Sequence, residues 1–130
     1  MRTAFSELVG IDVPVVQAPL GPWNTVELAA AVSNAGALGS LATNLRSAET
    51  VRDEMRRLRA ATDRPFADNH TLRPFDEDAF AATLEEAPRV VSFALGHRRK
   101  LVEQAHAAGA LFVQQVHTVA QAEQAGSAAS

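Results

Sequence analysis

Val13-Pro14-Val15-Val16-Gln17-Ala18-Pro19-Leu20-Gly21, followed by Glu27-Leu28-Ala29-Ala30-Ala31-Val32-Ser33-Asn34-Ala35-Gly36-Ala37-Leu38-Gly39-Ser40, carries the plan of the chain. It reads as a strand, a tight loop bearing Pro and Gly, a helix, a glycine stop and a second strand. The alternation then repeats. Apolar runs rich in Val, Leu and Phe occupy 13–18, 37–42, 65–69, 89–95 and 111–116, and their starts lie 22 to 28 residues apart. That interval holds a strand, a helix and two short loops, the βα unit of a parallel sheet. The runs lack clean apolar–polar alternation, as strands covered on both faces do.

Helix boundaries are marked in the same register. Asn24-Thr25-Val26-Glu27 has the capping-box spacing, Ser47 opens a second helix with Glu49 in its first turn, Asp76 opens a third, and Thr118-Val119-Ala120-Gln121 repeats the box. Val51, Met55 and Leu58 form one buried stripe; Phe80 and Leu84 belong to the third helix; Leu101, Val102 and Ala105 face inward from a fourth helix near 97–108. Gly36, Gly109 and Gly126 are expected to close helices, and Ala-Gly-Ala at 35–37 and 108–110 marks the junction from helix to strand. Residues 126–130 carry no apolar side chain larger than Ala and are expected as a disordered tail after a single domain over 1–125.

Composition narrows the function classes. The chain has 130 residues, a net charge of −3 and no cysteine, which rules out thiolate catalysis, disulfides and Cys-based zinc sites. No basic run exceeds Arg98-Arg99-Lys100, so nucleic acid is not an expected partner. No apolar stretch of about 18 residues offers a membrane span, and the first residues lack a signal core. The expectation is a cytoplasmic protein with a small-molecule substrate. Asp68 and His70 form an Asp-x-His pair too unspecific for a metal site, and none is expected. There is no P-loop, dinucleotide fingerprint or Ser/His/Asp arrangement.

Four segments end strands, where sites form in parallel α/β architectures. The first is Gln17-Ala18-Pro19-Leu20-Gly21-Pro22-Trp23-Asn24. Its prolines stiffen the loop, and Gly21 lets a planar ring approach the backbone. The second is Arg64-Pro65-Phe66-Ala67-Asp68-Asn69-His70, in which the Asn69 amide can donate and accept. The third is Val90-Val91-Ser92-Phe93-Ala94-Leu95-Gly96-His97, with Ser92 and Gly96 placed to line a cavity. The fourth is Phe112-Val113-Gln114-Gln115-Val116-His117, with Gln114 polar at a strand end and His117 in the following loop. Taken alone, these segments equally make ordinary βα loops and core strands. His97 and His106 read as part of the solvated face of the fourth helix.

From Phe5 to about Ala125 the chain resembles the nitronate monooxygenase family (2-nitropropane dioxygenases), most specifically in its opening segment. The family opens on a similar Gln-Ala-Pro-Met, where Leu20 replaces Met; it has a similar Arg-Pro-Phe-Gly-Val-Asn, where Ala67-Asp68 replaces Gly-Val; and it has a similar Val-Val-Ser-Phe-x-Phe-Gly. A histidine commonly stands in the family where this chain has Gln114. The resemblance implies an α/β fold, a TIM barrel of which about five βα units with parallel strands are present. It implies FMN contacted by Gln17, Ala18, Pro19, Leu20, Gly21, Asn69 and Gln114, and oxidation of alkyl nitronates by molecular oxygen. Flavin-dependent enoyl reduction on the same scaffold is the alternative. A full barrel takes roughly 250 residues. The family's catalytic histidine and Gly-rich phosphate loops have no counterpart in residues 1–130. The resemblance therefore implies weak or no FMN binding by this chain alone. An incomplete barrel leaves an open sheet edge, so self-association, with or without catalysis, is also expected.

Overall fold

The computed structural model describes residues 1–23 and 25–129; Asn24, expected above as a helix cap, and Ser130, the last residue of the expected tail, lie outside them. All the α-helices but one start where a side-chain oxygen satisfies a free backbone N–H group. Thr3 caps α1 (Ala4–Val9) in a reciprocal box with Ser6, and Thr25 caps α2 (Val26–Asn34) by accepting from the Leu28 N–H. Ser47 caps α3 (Ala48–Ala61) and Asp76 caps α4 (Glu77–Glu85), both as the sequence indicates. α5 (Arg99–Ala107) follows Arg98, which gives no side-chain cap. His97 therefore precedes the helix rather than lying on it. Thr118 Oγ1 accepts from the Gln121 N–H ahead of α6 (Val119–Ala129). This last helix runs through Gly126 instead of stopping there.

The stops of α2 and α5 explain the repeated Ala-Gly-Ala. Gly36 (φ 97°) donates to the Ser33 carbonyl while Ala37 donates to Val32; Gly109 (φ 85°) donates to His106 while Ala110 donates to Ala105. Both are Schellman caps, which need a left-handed residue at the glycine.

β1 (Gly39–Ala42), β2 (Phe66–Thr71), β3 (Val90–Ala94) and β4 (Leu111–Gln114) lie side by side in chain order, all parallel. The run 13–18, expected as a fifth strand, makes only one parallel bridge, Val16 to Leu38. Gln17 N–H donates to the Leu38 carbonyl and Leu38 N–H to Val15, but Val15 N–H turns back to Val13 across Pro14. Pro14 and Pro19 have no N–H to give a ladder, which limits the pairing to its middle.

Successive residues of each strand face opposite sides. Leu41 and Phe66 pack with Val26, Ala29, Val51, Met55, Leu58, Ala79 and Ala82 under α2, α3 and α4. Val91 and Phe93 pack with Phe80, Leu101, Val102 and Ala105 under α4 and α5. The opposite, concave face holds Leu38, Ala67 and Val90, closed at the amino ends by Val9 and Ile11 at the end of α1. α2 sits hard against β1 because residue 39 has no side chain. A Cβ there would overlap the Ala29 carbonyl and come within 2.6 Å of Ser33 Oγ, which accepts from the Gly39 N–H and donates to the Pro65 carbonyl.

Asp68 and His70 both turn toward the helices and are buried. Thr83 of α4 stands between them, its Oγ1 2.5 Å from Asp68 Oδ2 and 2.9 Å from His70 Nε2; the direct separation of 3.8 Å is too long for a hydrogen bond. Burial pushes the Asp68 carboxyl up from 3.8 to about 7, with hydrogen bonds from Thr83 and the Asn69 backbone opposing it. Burial likewise pushes His70 down from 6.5 to about 4, with Asp76 opposing. Among the described residues no group of three or more His, Asp or Glu is placed to hold a metal, and no helix is long and apolar enough to cross a membrane.

Two outcomes follow from this packing. Gly39→Ala is expected to cost several kcal/mol, since backbone has to move; a urea midpoint close to that of the unsubstituted chain would refute the close approach of α2. The second concerns pH. Between about pH 4 and 6.5 the unfolded chain holds one proton on His70 and the folded chain one on Asp68, so the pair adds no pH slope to stability. Asp68→Asn leaves a histidine that binds its proton only when unfolded, and stability relative to the unsubstituted chain then rises by about 1.4 kcal/mol per pH unit across that window. His70→Gln leaves a carboxyl that binds its proton only when folded, and relative stability falls at the same slope across the same window. Denaturant titrations at stepped pH would read the two slopes; slopes of the same sign would contradict the assignment.

Candidate functional site

The concave face narrows at the carboxyl ends of β1–β4 into a hollow of about 190 Å³. The segment 16–19 forms one wall, Ser40, Asn69 and Ser92 the floor, and Val113 to Gln115 the far wall. None of the lining residues is charged. The hollow exists because alternation along each strand sends Ser40, Asn69 and Ser92 away from the helices: Asn69 is level with Ala42 and Ser92 across the sheet, and Ser40 stands one step below, level with Ala67.

Of the residues singled out in the sequence, Gln17, Ala18, Pro19, Asn69 and Gln114 all line this hollow. Gln17 Oε1 accepts from the Ser40 N–H at 3.1 Å, which fixes the side chain and aims its amide nitrogen inward. Gln17 Nε2 is buried and has no hydrogen-bond partner among the described residues. An unmet buried donor costs about 1–3 kcal/mol, so it marks a place where a ligand acceptor is worth most. Asn69 is oriented the same way. Its Oδ1 accepts from Ser92 Oγ at 2.8 Å, and its Nδ2 donates to no other described residue. Its backbone carbonyl receives both the N–H and the hydroxyl of Thr43, at 3.1 and 3.0 Å.

Leu20 and Gly21 stand outside the lining. Leu20 is exposed, and Gly21 begins a short 3₁₀ turn (Gly21–Trp23). Arg46, held by Glu54 at 2.8 Å, reaches the Gly21 carbonyl at 3.3 Å and so fastens the loop to the start of α3. That clamp carries no sequence signature, because its partners are backbone carbonyls 25 residues away.

Gln114 is committed elsewhere. Its Nε2 donates to the carbonyls of Gly96 (2.9 Å), Gln115 (3.0 Å) and Phe93 (3.3 Å). With the amide nitrogen so engaged, its Oε1 accepts from His97 Nδ1 at 3.2 Å, which fixes the histidine's tautomer with a proton on Nδ1. Gln114 and Gln115 also border a second, polar cavity of about 530 Å³, lined by Arg73, Gly96, His97, His117 and Gln121. Gly96 faces this second cavity, whereas Ser92 faces the first. His106 is an exposed residue of α5.

An apolar hollow with unpaired amide donors at one side suits a flat ring carrying carbonyl acceptors. The groups placed to meet such a ring are the Gln17 and Asn69 amides and the Ala18–Pro19 segment. The hollow offers no cation or Gly-rich loop to a phosphate.

Comparison with known proteins places the chain in a family. The profile of the family described as nitronate monooxygenase matches residues 2–80. A nitronate monooxygenase from Paraburkholderia phytofirmans is 46% identical over 79 residues, which is 60% of this chain and 22% of that protein. The (3aS,4S,5R,7aS)-5-hydroxy-7a-methyl-1-oxo-octahydro-1H-indene-4-carboxyl-CoA dehydrogenase of Mycobacterium tuberculosis is 34% identical over 114 residues, 87% of this chain and 32% of that protein. The structure of FabK from Thermotoga maritima superimposes with a TM-score of 0.94 at 29% identity, covering 98% of this chain and 42% of that one. The chain thus spans about a third or less of these curated relatives, and its parallel sheet is part of a TIM barrel. By its matched profile and by the sheet that carries its hollow, the chain belongs to the nitronate monooxygenase family.

Proposed function

We propose that this chain forms the cofactor-facing part of an FMN-dependent oxidoreductase that oxidises alkyl nitronates with molecular oxygen. The observation that carries the reading is the buried, unpartnered Gln17 Nε2, set beside the free Asn69 amide at the carboxyl ends of the strands. FMN bound there would supply the electron transfer between nitronate and oxygen. Gln17 and Asn69 would donate to its ring carbonyls, while Ala18, Pro19 and Val113 would exclude water from its faces. Ser92 and the Ser40 N–H hold the two amides in place before any ligand arrives, so little ordering is left to occur on binding. The uncharged lining gives the phosphate no counter-charge, and affinity for FMN by residues 1–130 alone is expected to be low.

A second reading is supported by the M. tuberculosis relative, whose match takes in 87% of this chain. In that reading the same flavin face serves dehydrogenation of a carboxyl-CoA substrate, and the polar cavity beside Gln114 receives part of it. Nitronate-dependent oxygen uptake, compared with turnover of a carboxyl-CoA substrate under an electron acceptor, separates the two.

The cofactor reading is tested by quenching of FMN fluorescence. Asn69→Ala and Gln17→Met are each expected to weaken binding about tenfold, the equivalent of one hydrogen bond to a buried acceptor. Leu20→Ala is expected to leave it unchanged. Equal affinities for all four chains, or no quenching at any FMN concentration, would overturn it.

A further inference from the structure

Asp68 and His70 differ from everything else on β2 in being polar, buried and turned away from the hollow. Their hydrogen bonds nevertheless lead back to it. Starting from Asp68 Oδ2, the chain passes Thr83 Oγ1 (2.5 Å), His70 Nε2 (2.9 Å), then from His70 Nδ1 to Thr43 Oγ1 (3.1 Å) and on to the Asn69 carbonyl (3.0 Å). We propose that Asp68, Thr83, His70 and Thr43 form a relay behind the sheet that positions Asn69 according to whether the Asp68–His70 pair holds a proton. The meaning of that position for a cofactor rests on the function proposed above; the relay itself does not.

The argument is a count of hydrogens. Each threonine hydroxyl has one to donate. The Asn69 carbonyl can only accept, so Thr43 gives it its hydrogen, and His70 Nδ1 must then donate to Thr43. Thr83 stands between an imidazole nitrogen and a carboxyl oxygen. If the carboxyl carries the proton, Asp68 donates to Thr83 and Thr83 to His70 Nε2. If the imidazole carries it, His70 Nε2 donates to Thr83 and Thr83 to Asp68. Both arrangements satisfy all four links, and both keep one exchangeable proton on the pair.

Remove that proton and one link fails. Asp68 then only accepts, so Thr83 donates to it, and the single N–H of a neutral His70 goes to Nε2, 3.8 Å from the carboxylate charge, rather than to Nδ1. Nδ1 becomes an acceptor and competes with the Asn69 carbonyl for the one hydrogen of Thr43. The Asn69 carbonyl keeps the Thr43 N–H and loses the hydroxyl. Asn69 is the residue whose side chain, through Ser92, faces the hollow. The disturbance therefore arrives at the floor of the site from behind.

The surroundings leave this pair as the titrating element. Facing Asp68 are Glu54 of α3 and Arg46, which pair with each other at 2.8 Å. Facing His70 from α4's cap is Asp76, and around it are the rings of Phe75, Phe80 and Phe93, which carry no charge. Burial raises Asp68 and lowers His70, so the shared proton leaves at near-neutral pH.

The experiment is a pH series of carbon- and nitrogen-detected NMR spectra on the unliganded chain. The Asn69 carbonyl carbon and the Thr43 amide are expected to shift at the same midpoint as the Asp68 carboxyl carbon. In Thr43→Val, Asp68 is expected to keep titrating while the Asn69 carbonyl response is lost; in Asp68→Asn, the shared transition disappears. An Asn69 carbonyl that stays flat while Asp68 titrates, or one that responds unchanged in Thr43→Val, overturns the relay. If Asp68→Asn does not fold, the other two series decide alone. None of these spectra needs FMN, so failure of the flavin titration leaves the relay standing, and failure of the relay leaves the flavin reading standing.

Discussion

A β-strand must send neighbouring side chains to opposite faces, and β2 turns that constraint into two environments one residue apart. Ala67 and Asn69 look into the hollow; Phe66, Asp68 and His70 look into the helices. Nothing can move on one side without being felt on the other, because both sets hang from the same hydrogen-bonded backbone between β1 and β3. The helical side is filled to contact by Phe66, Leu58, Met55 and their neighbours, so the polar pair there survives only by pairing internally through Thr83 and Thr43.

The hollow in turn depends on how closely α2 approaches. Gly39 and Ser33 bring α2 against β1, and the bridge from Leu38 to Val16 then carries the 16–19 segment over the sheet. Arg46 holds the far end of that loop from the next βα connection. The wall bearing Gln17 is thus placed by groups outside it, which is what leaves its amide nitrogen free. A site assembled this way has its donors aimed in advance and few internal partners to satisfy them, the pattern expected where a ligand completes the hydrogen bonding.

Much of this was legible in the sequence, because periodicity and end signals are local. The stripe Val51–Met55–Leu58, the caps at Ser47 and Asp76, the glycine closures at Gly36 and Gly109, and the inward Leu101, Val102 and Ala105 all stand where their spacing puts them. The failures have physical causes. The run 13–18 has strand composition, but Pro14 within it, Pro19 just after it and an edge position reduce it to one bridge. α1 has six residues, too short for a helical period to show. Gly126 lies inside α6 rather than closing it. Gln114, a cofactor contact by the resemblance, does line the hollow, but the sequence does not show where its amide goes: the turn at Leu95 (φ 60°) and Gly96 (φ 139°) presents carbonyls that take it up. The relay from Asp68 to Asn69 joins residues 13 to 27 positions apart, beyond any local signal, although a charged residue in a buried strand was the clue to it.

The central claim is that the concave face of β1–β4, and not the helical face, is the side that meets a flavin. Mapping amide shifts on addition of FMN tests it most directly. The account predicts perturbations gathered at Gln17, Ser40, Asn69 and Ser92, with α3 and α4 silent. Perturbations gathered on α3 and α4, with those four residues unmoved, would contradict it.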